Sequence, residues 1–262
     1  MTGASRGIGA ALAERLAAEG ADVAIVARTR SEHAHLDGSL EETAQRCRDH
    51  GADVAIIVAD LTDVEQRSRI VPSAAEELGG PIDILINNAA AAIYQPVAET
   101  PLRRRHLMFE ANVHAPLDLA TASISDMTEA GEGWIINVSS GTARHWPGPP
   151  FEVGSLGTTI AIYGASKAAL DRITNGLGAE LHGTGIRVNT VQPRAAVLSE
   201  GAAKLAGTKL RPDQVETMEQ MVEGTLVLAC CDADVTGRVT VSLDNIDEFG
   251  LDVRGLDARP AS

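Results

Sequence analysis

The first nine residues, Met1-Thr-Gly-Ala-Ser-Arg-Gly-Ile-Gly9, limit this chain more than any other stretch. Glycines at 3, 7 and 9 form a turn whose backbone can approach a bound group closely. A helical pattern follows at once, with Ile8, Leu12 and Leu16 four apart on one face. The free N–H groups at a helix start, with the partial positive charge of that end, suit an anion such as phosphate. The spacing G-x3-G-x-G is that of a dinucleotide-binding turn, although glycines also mark ordinary tight turns. The rest of the chain has to choose between the two.

Downstream, short apolar runs alternate with helical stretches. Ala21–Ala27, Val54–Ala59, Ile82–Ile86, Trp134–Val138 and Ile186–Val191 read as strands, and Val239–Leu243 is a candidate for the last one. Ser39-Leu-Glu-Glu42 and Thr62-Asp-Val-Glu65 have the form of capping boxes. Thr100-Pro101 offers an N-cap with proline at the first helical position, and a long helix begins near Tyr163. This alternation predicts one α/β domain over residues 1–250 with a doubly wound parallel sheet, followed by a frayed, disordered tail at 251–262. A length of 262 residues suits such a domain. Ligands of these sheets lie beyond the carboxyl ends of the strands. The glycine turn, Arg28, Asp60, Asn87-Asn88 and Ser139-Ser140 all fall on that edge.

In such a fold the glycine turn follows a central first strand. Only Met1 precedes Thr2 here, whereas a strand takes ~5–6 residues. The expectation is a gap between the second strand and Ile82–Ile86, with buried N–H and C=O groups left unmatched at ~1–3 kcal/mol each. A natural chain beginning upstream with a short apolar strand is therefore expected.

Composition excludes several functions. A net charge of −14 disfavours nucleic acid and anionic membrane as partners, and no apolar run approaches membrane-spanning length. The three cysteines, Cys47, Cys230 and Cys231, have no metal-site or disulfide spacing, which fits a reducing cytoplasm and predicts no metal.

Tyr163 and Lys167 are four apart and share a helix face. A free tyrosine, with a pKa of ~10, is a poor acid or base near neutrality. A neighbouring ammonium favours the phenolate, so Tyr-x-x-x-Lys can serve as a proton-transfer unit; it can equally be a solvated helix pair. Ser140, at a strand end, could donate to a substrate oxygen or simply cap a turn.

Together these residues resemble the short-chain dehydrogenase/reductase family over most of the chain. Thr2-Gly-Ala-Ser-Arg-Gly-Ile-Gly9 is similar to the family's TGxxxGxG, and Asn87-Asn88-Ala89-Ala90 to its NNAG. Asn112, Ser140, Tyr163 and Lys167 fall on its catalytic tetrad. The resemblance implies a Rossmann-like fold and hydride exchange between a nicotinamide cofactor and a carbonyl or alcohol carbon. It implies Tyr163 as general acid or base, Ser140 holding the substrate oxygen, Lys167 lowering the Tyr163 pKa and binding the ribose, and Asn112 ordering a relay water. It implies cofactor contacts from Gly3, Ser5, Arg6, Gly7, Ile8, Gly9, Arg28, Asp60, Leu61, Asn88, Ala89, Tyr163, Lys167 and Pro193, with Asp60 at the adenine. A homodimer or homotetramer is also implied.

The chain departs from the common pattern in places. Arg194 follows Gln192-Pro193 where most members have glycine, Ser199 stands one place late for the usual nicotinamide hydroxyl, and the Gly-Gly near the C-terminus is missing. The Pro-Arg step and the long segment after Arg28, with Gly38-Ser39-Leu40, resemble the hydroxysteroid-dehydrogenase-like branch. Ala27 and Arg28 end the second strand, where an NAD enzyme carries an acid. Arg28 and Arg6 could both fork a 2′-phosphate, so NADP(H) is expected over NAD(H). Trp146 and Phe151, in the loop before Tyr163, form either an apolar wall for a small-molecule substrate or the loop's own anchor. A catalytically silent nucleotide sensor or scaffold is the competing reading. Retention of both Tyr163 and Lys167 favours an enzyme.

Overall fold

A computed structural model describes residues 1–31, 37–151, 157–194, 196–197 and 215–260. Its strands are β1 (Val23–Ala27), β2 (Val54–Val58), β3 (Ile84–Asn87), β4 (Gly133–Val138), β5 (Ile186–Gln192), β6 (Ala196–Val197), β7 (Val215–Glu216) and β8 (Val239–Val241). The helices are α1 (Gly7–Ala18), α2 (Leu40–Asp49), α3 (Val64–Ser68), α4 (Ile70–Leu78), α5 (Leu102–Phe109), α6 (Ala115–Ala130), α7 (Ala161–Glu180), α8 (Met218–Leu226) and α9 (Ser242–Phe249).

The apolar runs of the inner strands β1, β3, β4 and β5 are buried on both faces, as a parallel sheet covered on both sides requires. Neighbouring residues of a strand point to opposite sides, and here they enter two separate cores. Ile25, Ile86 and Ile136 pack with α1, α2 and α8. Val26, Leu85 and Ile135 pack with α4 and α6. This is the doubly wound arrangement. The order β3-β4-β5-β8 is parallel throughout, with Ile86 beside Ile136 and Ile136 beside Asn189.

β1 pairs in parallel with β2 but not with β3. Met1, Thr2 and the start of the glycine turn bridge the two halves. Thr2 N–H donates to the Ile86 carbonyl at 3.0 Å, Val26 N–H to the Met1 carbonyl at 2.9 Å, and the Met1 amine to the Ala24 carbonyl at 2.9 Å. Below this bridge lies a slot of about 470 Å³, lined by residues 22–24 and 82–86 and by Leu16, Ile70, Val71 and Leu78. The gap expected from the sequence is thus present between β1 and β3.

Three local readings need correction. The cap at residues 62–65 belongs to Asp63, whose carboxylate accepts from the Glu65 and Gln66 N–H groups; Thr62 instead donates to Asp60. Ser39 does cap α2, accepting from Glu42 N–H at 3.1 Å. Thr100 does not cap the helix it precedes, since α5 begins at Leu102 without a side-chain cap, and a π turn at Glu110–His114 separates α5 from α6. Residues 251–260 are not a frayed tail: Arg254 N–H donates to Glu223 Oε2 at 3.2 Å, Arg15 Nη1 donates to the Gly255 carbonyl at 3.4 Å, and Leu256 packs on the core. Glu223 and buried Arg15 form an ion pair at 2.9 Å, so a polar C-terminal segment finds polar partners. Residues 261–262 and Ser199 lie outside the described residues.

Candidate active site

The glycine turn is built against the end of β3. Asn88 Nδ2 donates to the Thr2 and Gly3 carbonyls at 3.0 and 3.2 Å, and Thr2 Oγ1 accepts from the Asn88 and Ala89 N–H groups at 3.1 Å each. A Cβ at Gly9 would lie 2.4 Å from both Asn88 Nδ2 and Gly3 O, so only glycine fits there. Gly3 adopts φ 68°, which also favours glycine. Gly7, Ile8 and Gly9 form the first turn of α1, whose N-terminus has no side-chain cap. Those N–H groups stay available to an anion.

Beside the turn lies a pocket of about 720 Å³. Gly3, Ser5, Arg6, Arg28, Asp60, Leu61, Asn88 and Ala89 line it, so eight of the expected cofactor positions meet in one cavity. Arg6 Nη1 is buried there without a hydrogen-bond partner. An unmatched buried guanidinium N–H is costly, and an anionic group in the pocket would satisfy it. Asp60 is held by Thr62, whose N–H and Oγ1 donate to Oδ1 at 2.9 and 2.8 Å. Pro193 directly follows β5, on the same edge of the sheet.

The tetrad positions come from three elements: the π turn, the end of β4, and α7, which carries both Tyr163 and Lys167. The π turn places Asn112, fully buried, with Nδ2 donating to Ala91 O and Ser166 Oγ at 3.0 Å each and Oδ1 accepting from Ala91 N–H at 2.8 Å. Ser166 Oγ donates in turn to the Tyr163 carbonyl at 2.7 Å, which ties the π turn to α7. Ser140 follows β4 and caps the short 3-10 turn Gly141–Ala143, accepting from Thr142 N–H at 3.3 Å and Thr142 Oγ1 at 3.0 Å. Its hydroxyl is near enough to the Tyr163 phenol to favour the ionised form. Lys167 is 2% exposed and donates to the Val138 carbonyl at 2.7 Å.

Burial raises the Tyr163 pKa, with a further push from Tyr94, while the Ser140 hydroxyl lowers it. The Lys167 ammonium is directed to the Val138 carbonyl at the end of β4. Burial brings Lys167 down to about 8, with Asp171 acting the other way. Tyr94, which nothing in the local sequence singles out, has its ring centroid 5.6 Å from that of Tyr163, tilted by 56°. Its loop is fixed by Gln95 N–H donating to Thr159 O at 2.7 Å. Trp146 and Phe151 are 39% and 61% exposed, and the Phe151 ring lies against Gly148. The aromatic neighbour of the tyrosine is therefore Tyr94.

Known proteins agree with this arrangement. The family model described as short chain dehydrogenase matches residues 1–210. Hydroxysteroid dehydrogenase-like protein 2 of Mus musculus is 33% identical over 257 residues, covering 96% of this chain and 49% of that protein. The chain spans about half the length of the curated relatives of that name. A short chain dehydrogenase from Mycobacterium thermoresistibile superposes with a TM-score of 0.81 at 26% identity, covering 100% of this chain and 92% of that one. A structure from Beutenbergia cavernae, described as an NAD(P)-dependent gluconate 5-dehydrogenase with bound NADP, superposes with a TM-score of 0.77 at 28% identity, covering 92% of each. With the glycine turn, the strand-end pocket and the four-residue constellation in the family's order, the chain belongs to the short-chain dehydrogenase/reductase family of oxidoreductases, on its hydroxysteroid-dehydrogenase-like side.

Proposed function

We propose that this protein is an NADP(H)-dependent carbonyl reductase or alcohol dehydrogenase for a small apolar substrate. The observation that carries the reading is the Ser140 hydroxyl beside the Tyr163 phenol, on the same sheet edge as a pocket in which Arg6 Nη1 is buried without a hydrogen-bond partner. The close backbone approach at Gly3 and Gly9, the start of α1 without a side-chain cap and the partnerless Arg6 Nη1 all fit a dinucleotide phosphate. Gly3, Ser5, Arg6, Arg28, Asp60, Leu61, Asn88 and Ala89 would hold it. Two arginines and no carboxylate at the end of β1 support NADP(H) over NAD(H). When bound, the nicotinamide supplies or accepts the hydride.

The protein's own part is proton transfer and placement. Ser140 Oγ holds the carbonyl oxygen and directs it at Tyr163. The raised pKa keeps Tyr163 protonated near neutrality, so in reduction it delivers its proton to that oxygen; in oxidation the phenolate form removes the alcohol proton. Lys167, charged below about 8, adds positive potential where the phenolate develops and is positioned for the ribose. Asn112 fixes the backbone around Ala91 and Tyr163, where a relay water would sit.

Tyr94 supplies apolar surface beside the reacting phenol, and Trp146 and Phe151 would add apolar surface from the loop before Tyr163. A homodimer or homotetramer in the cytoplasm completes the reading, in keeping with three free cysteines. Oxidation of NADPH by a panel of ketones and aldehydes tests it. Turnover with at least one apolar carbonyl is expected. Tight NADPH binding with no turnover on any substrate would point instead to a silent sensor. Lys167→Ala should weaken both turnover and cofactor affinity; an effect on turnover alone would remove the ribose contact.

A further inference from the structure

Lys167 is an ammonium in the interior, and its hydrogen bond goes to an uncharged carbonyl, that of Val138. Among the described residues no carboxylate lies within ion-pair distance of it. A buried charge without a counter-charge is strongly disfavoured. One turn further along α7 is Asp171, on the same helix face as Lys167. Its Oδ1 is sealed from solvent and has no partner in hydrogen-bond geometry. Two other buried oxygens share that condition, Ser139 Oγ at the end of β4 and Thr190 Oγ1 on β5. Both hydroxyls are near enough to favour the Asp171 carboxylate, as are Lys167 and Arg144, although burial outweighs them. A carboxylate, two hydroxyls and an ammonium thus converge behind the catalytic face, where neither charge has another full partner.

We propose that Asp171 is a positioning residue that holds the Lys167 ammonium charged and in place, seated between the Ser139 and Thr190 hydroxyls. The role deepens the reading of Lys167 as the cation of the reaction and rests on it. Asp171 touches neither substrate nor cofactor; it acts through Lys167. The groups facing the pair are Tyr163 on α7, the Val138 carbonyl and Ser139 from β4, Thr190 from β5, and Arg144 beyond the 3-10 turn. Asp171 is the acidic member of that set, so its charge is the one that offsets the burial of Lys167.

Two measurements test this, with Asp171→Asn as the main variant. The first is the pH profile of kcat/KM for NADPH-dependent reduction. The variant's alkaline limb is expected to move to lower pH by about one unit, with Asp171→Glu restoring most of it. An unmoved limb, with activity lower by the same factor at every pH, would overturn the proposal and leave Asp171 a packing residue. Thr190→Val, which removes one of the supporting hydroxyls, should move the limb the same way by less; it keeps the test open if Asp171→Asn does not fold. No movement in that variant would also count against the proposal.

The second measurement is thermal unfolding of the cofactor-free protein against pH, which does not depend on catalysis. The folded Lys167 pKa of about 8 lies below its ordinary 10.5. Stability from this group therefore rises with pH between the two values. In Asp171→Asn the rise should begin at lower pH, and in Lys167→Met it should vanish. An identical onset in Asp171→Asn and the unaltered protein would overturn the coupling. Absence of any turnover in the unaltered protein would instead defeat the functional reading and leave this second test standing.

Discussion

At the residue scale the site is governed by burial. Tyr163 is a phenol whose ionisation is suppressed by its surroundings, which suits proton donation near neutrality. Tyr163→Phe keeps the ring and removes the proton. Turnover should fall by about 10²–10⁴-fold while NADPH binding, followed by fluorescence titration, changes little. Lys167 sets the pH behaviour. It is protonated below about 8 and neutral above, so kcat/KM for reduction should decline as pH rises through that value. A profile flat from neutrality to well above 8 would show that its charge is not needed. The arginines set cofactor choice. Replacing Arg6 or Arg28 with alanine removes one charge-assisted contact to a 2′-phosphate and should cut the NADPH-over-NADH preference about tenfold. Comparing Kd values for the two cofactors checks it.

At the element scale, two local devices place the chemistry. The glycine turn and Asn88 fit together so closely that Gly9→Ala forces a methyl within 2.4 Å of Gly3 O. Cofactor affinity should drop at least tenfold, since the start of α1 must shift, and calorimetry would measure the loss. The π turn is the second device. Arg67, 3% exposed, donates to Glu110 Oε1 at 2.7 Å, to Asp118 Oδ2 at 2.9 Å and to the Leu61 carbonyl at 2.6 Å. One side chain thus joins the Leu61 side of the pocket to the turn that carries Asn112. Removing it strands two carboxylates, but both reach solvent. Arg67→Ala should therefore cost on the order of 2 kcal/mol, less than the ~3–5 kcal/mol of a fully buried pair. Chemical denaturation would show this as a shifted midpoint.

At the scale of the whole molecule, the alternation of apolar runs and helices was enough to specify the layered parallel sheet, because the inner strands β1, β3, β4 and β5 are covered on both faces. The gap between β1 and β3 was legible too, from the few residues before the glycine turn. Ser140 at a strand end and Tyr163 and Lys167 at helical spacing carry local cues, whereas Asn112, inside the π turn, is reached only through the family resemblance. Arg67 could not, since its partners lie 43 and 51 positions away in sequence. Tyr94 could not, since a loop without periodicity gives no cue to direction. Asp171 had a local cue in its four-residue spacing from Lys167, but only packing against β4 and β5 makes that cue meaningful. The segment at 251–260 misled because its polarity suggests solvent, whereas a salt-bridged arginine and glutamate receive it.

The central claim is that the Tyr163 phenol donates the proton in an NADPH-dependent carbonyl reduction. The measurement that tests it most directly is single-turnover reduction of an apolar ketone by enzyme preloaded with NADPH, run side by side for the unaltered protein and Tyr163→Phe. The account predicts rapid NADPH oxidation in the first and none above background in the second, with equal cofactor loading in both. Equal rates in the two proteins would contradict it.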